Sequence, residues 1–276
     1  MNKVWRSPIL LSLLFLLHPA LAGTDPKTAK ILEGINSVYY NLPREGLRRL
    51  HGEFRSDLID KIRDKAVEKF GKKAPVVKAL DGFGVSLDWD PSTGWEIESP
   101  SIPRSGEDRF DSGMDDLGKA MRSLAARIIN LWSGFMVEEV FTAGDLQKFD
   151  ARIGDGGDNL LVDLGDKQEA HHFVLDTGFK IHSVRGERTD GSKFAMDTIF
   201  DRSPRGYVLT GWTDQAGEER EVRIAYKAVE GFLLPSEMAV LIWDPKTGRS
   251  LEQACHFMNY KVEGAATDGD ASAGDR

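Results

Sequence analysis

The residues best suited to chemistry sit together in HHFVLDTGFKIH, from His171 to His182. Asp176 follows the apolar run Phe173-Val174-Leu175 and enters a Thr177-Gly178 turn, a place where an acid could serve a two-carboxylate hydrolysis. That chemistry requires a second carboxylate sharing the proton, because like charges in contact cannot both ionise. His171, His172 and His182 are of the type that ligates zinc or copper. His171 and His172 are neighbours, so in a strand they point to opposite faces and cannot chelate one ion.

The geometry of this stretch depends on its hairpin register. A two-residue loop at Thr177-Gly178 would mix apolar and charged residues on both faces. A three-residue loop, Asp176-Thr177-Gly178, pairs Leu175 with Phe179, Phe173 with Ile181 and His171 with Ser183. Phe173, Leu175, Phe179 and Ile181 then share the inner face, and register follows that apolar pattern. Gly178 supplies the left-handed residue that closes such a loop. The same register sets His172 across from His182, with Cβ atoms about 5 Å apart. Their face offers Val174 and Lys180 but no carboxylate, so two imidazoles make a weak start on a metal site.

Phe173 to Gly178 resembles the acid-bearing motif of aspartic proteases, with Asp111-Ser112-Gly113 as a second candidate. The resemblance stops there. Phe179 stands where that family has a small residue, and Asp111 follows Gly-Glu-Asp-Arg-Phe and reads as a helix cap. Turn chemistry accounts for Asp176 without catalysis. His51 and His256 are isolated, and the chain carries no GxSxG, HExxH, P-loop or strand-borne GxGxxG. The expectation is a non-catalytic protein without a cofactor, with a hydrolase at Asp176 or at His172 and His182 as a lesser alternative.

The N-terminus sets the expected compartment. Lys3 and Arg6 precede an apolar run from Ile9 to Leu17, and Ala20-Leu21-Ala22 supplies a small-x-small cleavage pattern. Residues 1–22 therefore read as a signal peptide cleaved after Ala22, leaving a periplasmic or secreted chain without a transmembrane span. The net charge of −8 is read as leaving no clustered basic stripe, and on that expectation nucleic acid is not a partner. Cys255 is the one cysteine, which excludes an internal disulfide, so an apolar core must stabilise the fold. Residues 264–276, GAATDGDASAGDR, hold no large apolar side chain and read as a disordered acidic tail.

Between these ends, residues 23–263 read as one domain. Asp25 and Pro26 open a helix reaching Leu42, with Ile31, Ile35, Val38 and Leu42 as its stripe. Residues 44–57 fit either a helix or a short strand, and a helix follows from Asp57 to Phe70. Val85, Leu87 and Trp89 alternate into an Asp90-Pro91-Ser92-Thr93-Gly94 turn, and Trp95 and Ile97 alternate out of it. Nearly the same turn returns at residues 243–248. The strongest amphipathic pattern runs from Gly113 to Val140, through Leu117, Met121, Leu124, Ile128, Leu131 and Phe135. From Lys148 to Val262, short alternating runs split by seven Gly/Asp turns predict about eight antiparallel strands in a meander.

The last stretch, Glu221 to Val262, holds an aromatic and a Leu-Pro at Phe232 and Leu234-Pro235, then closes on Tyr260-Lys261-Val262. It resembles the closing strands of periplasmic outer-membrane lipoprotein carriers, and the order of helices and strands is similar to theirs. The functional arginine of those carriers has no identifiable counterpart here. The resemblance implies an α+β fold, an antiparallel meander forming an open barrel covered by amphipathic helices. It also implies a lipid or other hydrophobic ligand held inside. Residues expected to face that interior are Phe173, Leu175, Phe194, Met196, Ile224, Tyr226, Met238 and Val240 on strands. Leu124, Ile128 and Phe135 face it from the helix. The alternative is an envelope interaction module with a filled core, whose partner is another envelope protein.

Overall fold

The computed structural model describes residues 25–100, 108–165, 169–187, 189–214, 220–244 and 249–264. The signal-peptide reading of residues 1–22, the tail beyond Gly264 and the second Asp-Pro turn at 245–248 lie outside the described residues.

Helix α1 (Pro26–Ser37) starts where Asp25 accepts the N–H groups of Lys27 and Thr28, with proline in its first turn. It stops five residues before Leu42. Val38 and Tyr40 leave the helix to bond Tyr207 instead, Tyr207 N–H to Val38 O at 2.8 Å and Tyr40 N–H to Tyr207 O at 2.9 Å. The ambiguous residues after it form strand β1 (Leu47–Ser56), and Ser56 then caps helix α2 (Asp57–Phe70). A short helix, α3 (Pro75–Asp81), packs against α2 and has no counterpart in the periodicity reading.

Strands β2 (Val85–Asp90) and β3 (Gly94–Glu98) form the expected hairpin. Gly94 takes the left-handed conformation at φ 75°, and the Asp90 carboxylate accepts the Ser92 N–H. Helix α4 (Asp108–Met136) begins five residues before Gly113 and ends four before Val140. Asp111 thus lies inside its first turn, suited to the helix dipole, and is not its cap. A capping box between Thr142 and Asp145 opens α5 (Ala143–Lys148).

Nine strands follow where about eight were expected. They are β4 (Asp150–Asp155), β5 (Asn159–Gly165), β6 (Ala170–Asp176), β7 (Ile181–Glu187) and β8 (Lys193–Ser203). Then come β9 (Gly206–Asp214), β10 (Arg220–Val229), β11 (Phe232–Asp244) and β12 (Arg249–Gly264). The extra strand arises from a Pro204-Arg205 turn between β8 and β9, where Ser203 pairs with Gly206.

All twelve strands form one antiparallel sheet in the order β3-β2-β1-β12-β11-β10-β9-β8-β7-β6-β5-β4. Each neighbour is consecutive in the chain except β1 and β12, which close a loop over the whole sequence. The edges β3 and β4 do not pair, so the sheet curls without closing. The fold is α+β, an open barrel of meander strands with helices. Helix α4 lies across its inner face. Trp132 Nε1 donates to Tyr226 Oη at 3.0 Å, and Tyr226 Oη donates to the Leu209 carbonyl at 2.6 Å. Phe135 packs edge-on against Phe200, and Trp95 Nε1 donates to Ser133 Oγ. These contacts hold the helix between β3 at one edge of the sheet and β8 to β10 in its middle.

Candidate functional site: an apolar cavity under the long helix

Between α4 and strands β8 to β12 lies a cavity of about 420 Å³. Leu124, Arg127, Ile128 and Leu131 of α4 form its roof. Phe194, Ala195 and Met196 of β8 and Trp212 of β9 form the sheet wall, which continues through Val222 of β10 and Val240 of β11. The register explains why these residues converge. Thr198, Trp212, Val222, Val240 and Gln253 are successive cross-strand partners, so strand alternation sends them all to the inner face.

One rung further along, Asp214 and Arg220 face each other across β9 and β10, and both line the same cavity. The cavity is therefore apolar along Ile128, Leu131, Trp212, Val222 and Val240, with charged groups at one end. Gln253 closes another side. Its Nε2 donates to Ser56 Oγ at 2.7 Å, the hydroxyl that caps α2 through the Leu58 N–H. Cys255 lies two residues along the same strand face, where burial pushes its thiol up to about 12 despite a hydrogen bond with Ser56. A second depression, about 470 Å³ and wide open to solvent, lies between β3 and the polar side of α4 at Lys119, Arg122 and Asn130.

Of the residues expected to face the interior, Leu124, Ile128, Phe194, Met196 and Val240 line the cavity. Phe135, Leu175, Ile224 and Met238 are buried in the core. Tyr226 is held by Trp132 and Leu209, and Phe173 packs against Phe141 at 5.0 Å. The periodicity reading missed Trp212, Val222 and Gln253, although Val222 shares parity with Ile224 and Gln253 with Cys255. It also missed Arg127, Asp214 and Arg220, because charged residues carry no signal of an apolar wall.

The His171–His182 hairpin differs from its expected register. Thr177, Gly178 and Phe179 form the loop, closed by Asp176 N–H to Lys180 O and Phe179 N–H to Asp176 O, both at 3.0 Å. The left-handed residue is Phe179, at φ 67°, and not Gly178. A bulge between Val174 and Leu175 then shifts the pairing. Leu175 faces Ile181, Phe173 faces Val184, and His171 faces Gly186. His172 lies opposite Arg185 and not His182. Phe173, Leu175 and Ile181 keep a common face, but the two histidines part company. His172 Nδ1 is 2.7 Å from Asp163, and His182 Nε2 is 3.3 Å from Asp176. No group of three potential metal ligands occurs among the described residues.

Asp176 is built into the turn. Its Oδ1 accepts the N–H groups of Gly178 at 2.8 Å and Lys180 at 3.0 Å. Partial burial pushes its pKa upward, but these two donors and His182 outweigh that, and the carboxyl sits below its usual range. An acid so held is a turn cap and is poorly placed to accept a substrate proton.

Comparison with known proteins adds no relative: no family model, curated protein or solved structure matches this chain.

Proposed function

We propose that this protein binds or carries a lipid or other hydrophobic ligand, without covalent chemistry, in the cavity under α4. The observation that carries this reading is the site's polarity. An apolar space inside a curved sheet ends in Asp214 and Arg220, with Arg127 on its roof. Such a site suits an amphipathic molecule with its apolar part inside. At about 420 Å³ the cavity is near the lower end of small-molecule pockets, roughly 300–1,000 Å³, so a single acyl chain is the occupant of choice. The resemblance of residues 221–262 to the closing strands of lipoprotein carriers and the leader-like N-terminus support a periplasmic or secreted setting for this role.

The second reading, an envelope interaction module with a filled core, draws support from Leu175 and Met238, both fully buried where a larger cavity would expose them. A fluorescent single-chain fatty acid separates the two. Saturable one-to-one binding, displaced by unlabelled fatty acid, supports the carrier; no saturable binding at any chain length removes it.

A further inference from the structure

The basic residues of this acidic chain are not scattered. Between residues 61 and 78 stand seven lysines and arginines against two acids, in a chain of net charge −8. In sequence they flank Phe70 on both sides, and Phe70 is 58 % exposed, the most exposed large apolar side chain among the described residues. We propose that the α2–α3 tip docks the protein on an anionic lipid surface, with Phe70 entering the boundary between headgroups and acyl chains.

The local structure builds such a tip. Leu58, Ile62, Ala66 and Phe70 recur every four residues along α2 and form one row. Ala66 in its middle is buried, whereas Leu58 and Phe70 at its ends emerge at 41 % and 58 % exposure. Lys61, Lys65 and Lys69 form the adjacent row at the same spacing. Gly71, left-handed at φ 81°, ends the helix and turns the chain into Lys72 and Lys73. Lys69 lies over the Phe70 ring, 5.0 Å from its centre.

The neighbouring charges leave the lysines available. Asp60 is held by Arg55, and Asp64 and Asp81 by Arg63. Lys61 pairs with Asp57. Lys65, Lys69, Lys72, Lys73 and Lys78 form no ion pair among the described residues, and Glu68 is the one nearby exposed acid not held by an arginine. A single exposed apolar side chain is ordinary on a protein surface. An exposed aromatic at a helix end, with unneutralised lysines before and after it in sequence, has the composition of an interfacial anchor. A merely solvated charged face gives no reason for the most exposed large apolar side chain of the described residues to sit among these lysines.

Docking is independent of the cavity. Helix α2 spans 14 residues, which puts Phe70 about 20 Å from Ser56 and the cavity wall. The test is co-sedimentation of the full chain with vesicles of phosphatidylcholine alone or mixed with phosphatidylglycerol. Binding is expected to the anionic vesicles only and to weaken as salt rises. Phe70→Ser should weaken it about tenfold. The triple variant K69E/K72E/K73E should abolish it, since each lysine near such a surface contributes roughly fivefold. These side chains are exposed, so an unchanged melting temperature shows that the variants fold. Failure of the wild type to bind anionic vesicles overturns the proposal, as does equal binding by both variants. Retention on immobilised polyglutamate without vesicle binding also overturns it and assigns the patch to an acidic protein. Leu131→Trp, in the cavity, should leave vesicle binding unchanged, so that loss of ligand and loss of docking are distinguishable.

Discussion

The Tyr39 hydroxyl donates to the Phe179 carbonyl at 2.7 Å and accepts the Ile181 N–H at the same distance. The second residue past α1 thereby holds a left-handed phenylalanine and the first residue of β7 in place. Burial raises the Tyr39 pKa, consistent with a hydroxyl kept neutral between two backbone partners. Tyr39→Phe leaves the Ile181 N–H buried without its partner and should cost about 1–3 kcal/mol. Urea unfolding at neutral pH measures this; an unchanged midpoint would show the bond to be idle.

Asp176 should behave as a turn cap under titration. Asp176→Ala should cost about 1 kcal/mol at neutral pH and leave ligand binding intact. The folded carboxyl titrates below its unfolded value, so its contribution is present above about pH 4 and fades as pH falls through the folded pKa. Stability curves of wild type and variant should therefore converge in acid. Curves that stay parallel from neutral to acid pH would contradict the assignment.

Alkali should act on the buried core. Burial raises the pKa values of Tyr39, Tyr40, Tyr226 and Tyr260, and pushes the Cys255 thiol up to about 12. Groups raised in the folded state contribute stability below their unfolded pKa values and lose it as pH climbs through the folded ones. For the thiol that loss begins near pH 9, and for the tyrosines near pH 10. Tyrosinate absorbance should then rise together with loss of far-ultraviolet ellipticity. Cys255 alkylation should stay slow until the same transition. Fast alkylation of the folded protein near neutral pH would show an accessible thiolate.

The long amphipathic α4, the β2–β3 hairpin and the meander were legible because apolar period and turn residues agree there. The His171–His182 register was not. Apolar pattern alone favoured Gly178 as the left-handed residue, whereas Tyr39, more than a hundred residues away, stabilises Phe179 in that conformation. The bulge that follows moves each later partner of β7 by one. Helix α1 was read too long for a similar reason, since Val38 to Tyr40 keep a helical apolar spacing but find strand partners at Tyr207. The cavity was half legible. Parity identifies inward-facing positions, but only the seating of α4 decides which remain uncovered. The basic tip was hidden by the chain's net negative charge, which averages a local positive cluster away.

The cavity reading is tested most directly by comparing lipids extracted from gently purified wild type and Leu131→Trp. Leu131 lies on the cavity roof and is only partly buried, so the larger ring can occupy the empty volume, and any overpacking should stay within about 1–3 kcal/mol. Mass spectrometry should find a single-chain lipid at near one-to-one stoichiometry on the wild type and little on the folded variant. An empty wild type, or equal lipid on both, would contradict a ligand in this cavity.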